Sequence, residues 1–289
     1  MQPSGRDWIL ANARRYRLIA GFLAALVCWP LSGLSEPARG LPGDVVIPAY
    51  TPGSIGFRPG DRLRYRVTWS GLPVAFADIV LRLNPGHPGE WTGEVLISTN
   101  RLVDIFYRMR ADLDDEFAAR DLLSRSVTIR QRENQRESEY SIRFERTQGL
   151  VEAVRRTHDK LQMQRYAARH PVGPVSGALL ALSQSLAVGD ELTFDCFAGT
   201  SRYVFAFDVK DRELLATAEG DTVPVLRIEP RLIFLSAGKE HYRAERVVVY
   251  VAEDSRHTPL RIVADTFVGR IYADLVSTGH SPGAFADQQ

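Results

Sequence analysis

The chain has 289 residues, 45% hydrophobic and 25% charged, with a formal net charge of +1. That mix excludes wholesale disorder and low-complexity architectures. A charge so near zero supplies no field for nucleic acid, and two cysteines, Cys28 and Cys196, cannot build a disulfide scaffold.

Arg14, Arg15 and Arg17 precede an apolar run from Leu18 to Trp29, interrupted by Pro30 and followed by the small residues Gly33 and Ser35. Basic, apolar, small is the order of a secretory leader, so residues 1–35 read as a signal peptide cleaved near Ser35. The rival is an uncleaved anchor, which needs about 20 apolar residues to cross a bilayer. A lipid-modified Cys28 is disfavoured by the bulk of Val27, and Arg14-Arg15 leaves a twin-arginine route open. Without the leader the chain is close to neutral and keeps a single cysteine. Cys196, between Phe194-Asp195 and Phe197, reads as a small buried residue of a strand.

Residues 36–57, rich in Pro and Gly, predict an extended and partly mobile lead-in. One β domain follows over 58–277, then a mobile tail over 278–289. Leu63, Tyr65, Val67 and Trp69 alternate with Arg62, Arg64, Arg66 and Thr68, the period of a strand with one buried face. Ile79, Leu81 and Leu83 continue the pattern after Gly71-Leu72-Pro73, giving a hairpin. Further strands are predicted over 91–98, 104–112, 124–132, 138–146, 150–156 and 160–166, and then over 191–197, 202–209, 213–218, 222–229, 231–236, 240–251, 259–266 and 268–276. Arg130–Glu139 reads as an exposed hairpin tip, and the acidic run Asp112, Asp114, Asp115 and Glu116 as a solvated turn. Many short strands suggest a sandwich or barrel. One helix breaks the rhythm over 174–187: Pro174 opens it, Val175, Leu179, Leu182 and Leu186 recur at helical spacing, and Gly189 follows its end. Gly189-Asp190 echoes Gly60-Asp61, each at the mouth of a strand.

Catalytic chemistry is not visible. His87, His158, His170, His241, His257 and His280 form no metal-ligand spacing, Ser176 lacks the glycine frame of a nucleophile elbow, and no glycine-rich phosphate loop follows a strand. No metal or cofactor is expected. Arg155, Arg156, Lys160 and Arg165 give a strand a cationic outer face, suited to anionic headgroups or, more plainly, to protecting a sheet edge.

Three ordered pieces carry a resemblance. The first is Gly60-Asp61-Arg62-Leu63-Arg64-Tyr65 running on to Trp69-Ser70-Gly71-Leu72-Pro73-Val74-Ala75. The second is Ile105-Phe106-Tyr107-Arg108-Met109-Arg110-Ala111-Asp112. The third is Tyr250 to Ile262, followed by Gly269-Arg270-Ile271-Tyr272-Ala273-Asp274-Leu275. Together they resemble the DUF3108 family of bacterial exported proteins, which has no assigned activity. The resemblance implies an exported, strongly curved antiparallel sheet similar to the half-barrels of periplasmic lipoprotein carriers, and no catalytic residues. Family members often carry an Asp where Gly173 stands here, and a Trp in place of Tyr250.

The expected fold is mainly β, a long curved antiparallel sheet forming an open or half barrel around one short helix. The expected role is a non-enzymatic protein of the periplasm that binds a lipid, a lipoprotein or another envelope component in an apolar cleft. Trp69, Val175, Leu179 and Leu182 are the candidate lining. Membrane association would be peripheral at most. The alternative is an assembly factor working through protein contacts, with an enzyme third.

Overall fold

The computed structural model describes residues 47–217, 220–234, 244–266 and 269–281. The leader, residues 36–46 of the lead-in and residues 282–289 lie outside the described residues. The first meander holds β1 (Asp61–Trp69), β2 (Leu72–Leu83), β3 (Glu90–Thr99), β4 (Met109–Ala118), β5 (Ser124–Glu133), β6 (Arg136–Glu145), β7 (Leu150–Thr157) and β8 (Leu161–Ala167). A single helical turn, α1 (Arg101–Asp104), joins β3 to β4. Next come β9 (Pro171–Val172) and α2 (Pro174–Leu182). The second meander holds β10 (Glu191–Ala198), β11 (Ser201–Ala216), β12 (Thr222–Phe234), β13 (Ala244–Ala252), β14 (Pro259–Thr266) and β15 (Gly269–His280).

Among the described residues all fifteen strands form one sheet, because β15 returns to pair antiparallel with β1 and fuses the two meanders. Its edges are β8 and β9, separated in the chain by three residues. Side chains rather than a continuous ladder draw the two ends together. Phe197 packs edge-on against Phe144 and Tyr166, and the Tyr166 hydroxyl donates to the carbonyl of Thr200 at 2.6 Å. The result is a curled, unclosed barrel.

Period-two burial explains the curl. Leu63, Tyr65 and Val67 on β1, Met109, Ala111, Leu113 and Phe117 on β4, and Tyr140, Ile142 and Phe144 on β6 all face one continuous core. Several expectations shift. The predicted strand at 104–112 begins only at Met109, because Asn100 caps α1 by accepting from the Val103 amide. The strands expected at 202–209 and 213–218 are one, β11, with an irregularity at Lys210, and those at 222–229 and 231–236 are one, β12. The helix stops at Leu182, five residues early, where the Ser183 hydroxyl turns back to donate to the Leu180 carbonyl. β15 runs to His280, so the expected tail begins as strand.

The described part of the lead-in is docked, not loose. Tyr50 stacks on Phe194 and its hydroxyl accepts from the Thr193 amide, Phe57 is buried, and the Gly53 amide donates to Ser183 Oγ. Glycine is required at 53 because a Cβ there would lie 2.2 Å from the Ser183 carbonyl oxygen. Gly53→Ala is therefore expected to lower the unfolding free energy, read from the urea midpoint, by about 1–3 kcal/mol, as overpacking does, and to speed amide exchange across residues 50–57. An unchanged midpoint would mean that the strap can be released without loss.

Candidate functional site

The polar centre of the molecule is buried where α2 meets the sheet. Asp115 is inward because β4 alternates Met109, Ala111, Leu113, Asp115 and Phe117 on its core face. The acidic run is thus a strand rather than a solvated turn: Asp112, Asp114 and Glu116 point out, and Asp115 is fully buried. Its Oδ2 accepts from the amides of Val175 (3.0 Å) and Ser176 (2.8 Å), and its Oδ1 accepts from Ser124 Oγ (2.8 Å). A carboxylate at the positive end of a helix satisfies amides that have no partner in the helix itself. Because Ser124 gives its proton to Asp115, Ser176 is the donor in the 2.6 Å contact between the two hydroxyls. The Gly173 amide donates to both Ser124 Oγ and Ser176 Oγ. A Cβ at Gly173 would fall 2.4 Å from Asp115 Oδ2, so glycine makes room for a carboxylate delivered from β4. Burial pushes the Asp115 carboxyl up to about 6, against the pull of these donors.

The other end of α2 is clamped as well. His257, in the β13–β14 turn, contacts the Leu182 carbonyl through Nδ1 at 2.8 Å. At the same mouth of the barrel Asp61 joins three segments: Oδ1 meets His280 Nδ1 at 2.7 Å, and Oδ2 accepts from Arg256 at 2.6 Å and from the Arg58 amide. The Gly-Asp echo proves to be shared turn chemistry. Gly60 and Gly189 both have φ near +100°, and Asp61 and Asp190 each accept from the amide three residues earlier. A second buried charge, Asp195, forms a two-pronged pair with Arg202 at 2.7 and 2.6 Å. The lone described cysteine, Cys196, is half-buried by its side-chain exposure, and desolvation raises its thiol well above the ordinary range, with Asp115 and Asp195 adding to the effect.

The residues proposed for a cleft do not converge. Val175, Leu179 and Leu182 are buried in the core, with Val175 seated on Gly93. Gly93 pairs with Leu81, which lies level with the start of β1, whereas half-buried Trp69 is the last residue of β1. At about 3.3 Å per residue, roughly 25 Å of strand separates them. The cationic face also divides. Arg155 lies inward over the Tyr140 ring, because Arg155 pairs with Tyr140 in register, while Arg156 points outward. Arg165 is held by Glu152 at 2.8 Å, and Lys160 sits in the β7–β8 turn. β8 turns its apolar residues outward: Leu161 and Met163 are exposed, and Gln162 and Gln164 take the inner register.

A concavity of about 390 Å³ lies on the opposite face of β11–β15, lined by Arg227, Arg246, Arg261, Arg270, Val248 and Tyr250 among others. Its guanidinium groups are occupied: Arg227 by Glu213 at 2.8 Å, Arg270 by Asp265 at 2.6 Å, Arg246 by Glu229 and Arg261 by Asp274. It is a self-neutralised surface. The rim formed by the β1–β2, β3–β4, β5–β6 and β7–β8 turns differs, because Leu72, Leu102, Ile105 and Phe106 stand 59–74% exposed there. No group of three or more His, Cys, Asp or Glu among the described residues is arranged to hold a metal ion. No helix among the described residues is long and apolar enough to cross a membrane.

A family model described as a protein of unknown function, DUF3108, matches residues 64–276. No curated protein matches the sequence. Among solved structures, a β-barrel-like protein of the DUF1849 family from Brucella abortus aligns with a TM-score of 0.50 and 10% identity, over 77% of this chain and 98% of its own. A protein with a YmcC-like fold from Bacteroides fragilis aligns with a TM-score of 0.29 and 8% identity, over 80% and 99% respectively. The first of these likenesses supports the curled β fold and nothing further.

Proposed function

The chain belongs to the DUF3108 family, whose function is unknown, and from its geometry we propose that it is an exported, non-catalytic protein of the cell envelope that binds a lipid component. The observation that carries the reading is how the ionisable groups of the interior, buried or half-buried, are used. Asp115 holds the start of α2, Asp195 neutralises Arg202, and the Cys196 thiol is held in its protonated form, so each serves the fold and none faces an open cleft. General acid–base work needs titratable groups converging on a substrate space. The leader pattern of residues 1–35 supports export to the periplasm. With one mouth of the barrel plugged by α2 and the strap, binding moves from the interior to the exterior.

Incubation of the exported protein with a total envelope lipid extract tests this. Lipid is expected to associate and be recovered chemically unchanged. Accumulation of lysolipid or free headgroup would mean turnover and overturn the reading. No association would favour a protein partner instead, which the outward Leu161 and Met163 on the edge strand β8 would suit.

A further inference from the structure

We propose that the rim bearing Leu72, Leu102, Ile105 and Phe106 is a bilayer-docking edge, with the arginines around it meeting anionic phospholipid headgroups. The proposal rests on the lipid-binding reading and names where that contact is made.

The four side chains form one patch. Asn100 ties the two turns together: its side-chain amide donates to the Pro73 carbonyl at 2.5 Å and its backbone amide to Val74 at 3.0 Å. Leu72 therefore lies beside α1 and the turn that carries Leu102, Ile105 and Phe106. These residues are 67, 74, 72 and 59% exposed. The next turn is joined the same way, since the Arg108 amide donates to Asn134 Oδ1 and the Asn134 amide to the Arg108 carbonyl. Antiparallel pairing brings the β7–β8 turn to the same end, because Thr157 pairs with Ser138.

Charge selects the occupant. The exposed cations Arg101, Arg108, Arg136 and Lys160 on this rim form no ion pair among the described residues. The rim acids Asp104 and Glu137 are already held by Arg110 (2.6 Å) and Arg132 (2.5 Å), Glu133 accepts from Gln131 and stands opposite Arg136 in register, and Asp159 lies beside His158. At the opposite mouth Arg256 is bound to Asp61, while Arg58 and Arg169 stand exposed there but beside no comparable cluster of exposed apolar side chains among the described residues. The molecule thus has one end where apolar knuckles stand on two adjacent turns, Leu72 on one and Leu102, Ile105 and Phe106 on the next, amid a net excess of positive charge. Such knuckles suit an interface in which apolar tips enter the acyl boundary and cations stay at the headgroups.

Flotation of the exported protein with vesicles of phosphatidylcholine alone, and of phosphatidylcholine with 30% phosphatidylglycerol by design, decides the matter. Wild type is expected to float with the anionic vesicles and to lose binding in high salt. Leu102→Asp with Phe106→Asp, and separately Arg101→Glu with Arg108→Glu, should each lower the partition coefficient by about tenfold or more. Leu83→Asp and Leu214→Asp, at exposed apolar positions away from this rim, serve as folding and charge controls and should leave it unchanged. If wild type floats with neither vesicle, bilayer docking is overturned, while the lipid-extract experiment still decides the broader reading. If wild type floats and the rim variants float equally, lipid binding stands and this site is overturned.

Discussion

Asp115→Ala is expected to lower unfolding free energy by about 3 kcal/mol at neutral pH. The change removes the acceptor shared by the Val175 amide, the Ser176 amide and the Ser124 hydroxyl, all in a buried site. Each orphaned donor costs on the order of 1–3 kcal/mol, partly offset because a buried carboxylate no longer has to be desolvated. Equilibrium urea unfolding gives the number, and a loss below about 1 kcal/mol would mean that water or Ser176 re-caps the helix. The same residue predicts a pH signature. Its carboxyl titrates near 6 in the folded protein, because burial raises it, and near 3.9 when unfolded. Between those values the folded state holds a proton that the unfolded state has lost, so this group's contribution falls as pH rises from about 4 to about 6 and is flat above. Relative to Asp115→Asn, which does not titrate, wild type should lose about 3 kcal/mol across that window. A constant difference between the two proteins would refute the raised value.

Asp195→Ala should be at least as damaging, at about 3–5 kcal/mol, because it strands the Arg202 guanidinium in a site where both side chains are 3% exposed. Arg202 Nη1 has no hydrogen-bond partner among the described residues, so without Asp195 the guanidinium keeps only its place 5.6 Å over the Phe197 ring. The pair itself is a different matter. Asp195→Leu combined with Arg202→Met should recover most of the loss, since two charges are then spared desolvation together. A double-mutant cycle in urea measures the difference. If the double variant is as unstable as the single, the pair is holding the β10–β11 hairpin geometry and not merely cancelling its own charge.

The site was only partly legible in sequence, for reasons specific to its residues. Asp115 was hidden inside an acidic run, where a cluster of carboxylates ordinarily signals solvent. The alternation of Met109, Ala111, Leu113 and Phe117 places it inward only when the strand is carried past Asp112 to Ala118, through residues whose charges read as a turn. Arg155 and Arg156 are adjacent and alike in composition, but a strand sends neighbours to opposite faces, so a cationic stretch cannot be a cationic face. Trp69 shares its register with Tyr65 and Val67, and yet it ends the strand, where the sheet no longer covers it fully.

What the sequence determined by itself is local. Period-two patterning set the strands, turn residues such as Gly60-Asp61 and Asn134 set their ends, and Pro174 set the start of the helix, because each depends on neighbours within a few residues. It also determined the family, through motifs kept in order along the chain. The tertiary structure alone decided that β15 returns to β1, that Gly173 faces a carboxylate from β4, that the lead-in straps the mouth, and that apolar turns from β1–β2 and β3–β4 share a rim. Those facts join residues tens to hundreds of positions apart. Such contacts are selected by how the whole sheet twists and buries its core, a property of the assembled surface that no local window contains.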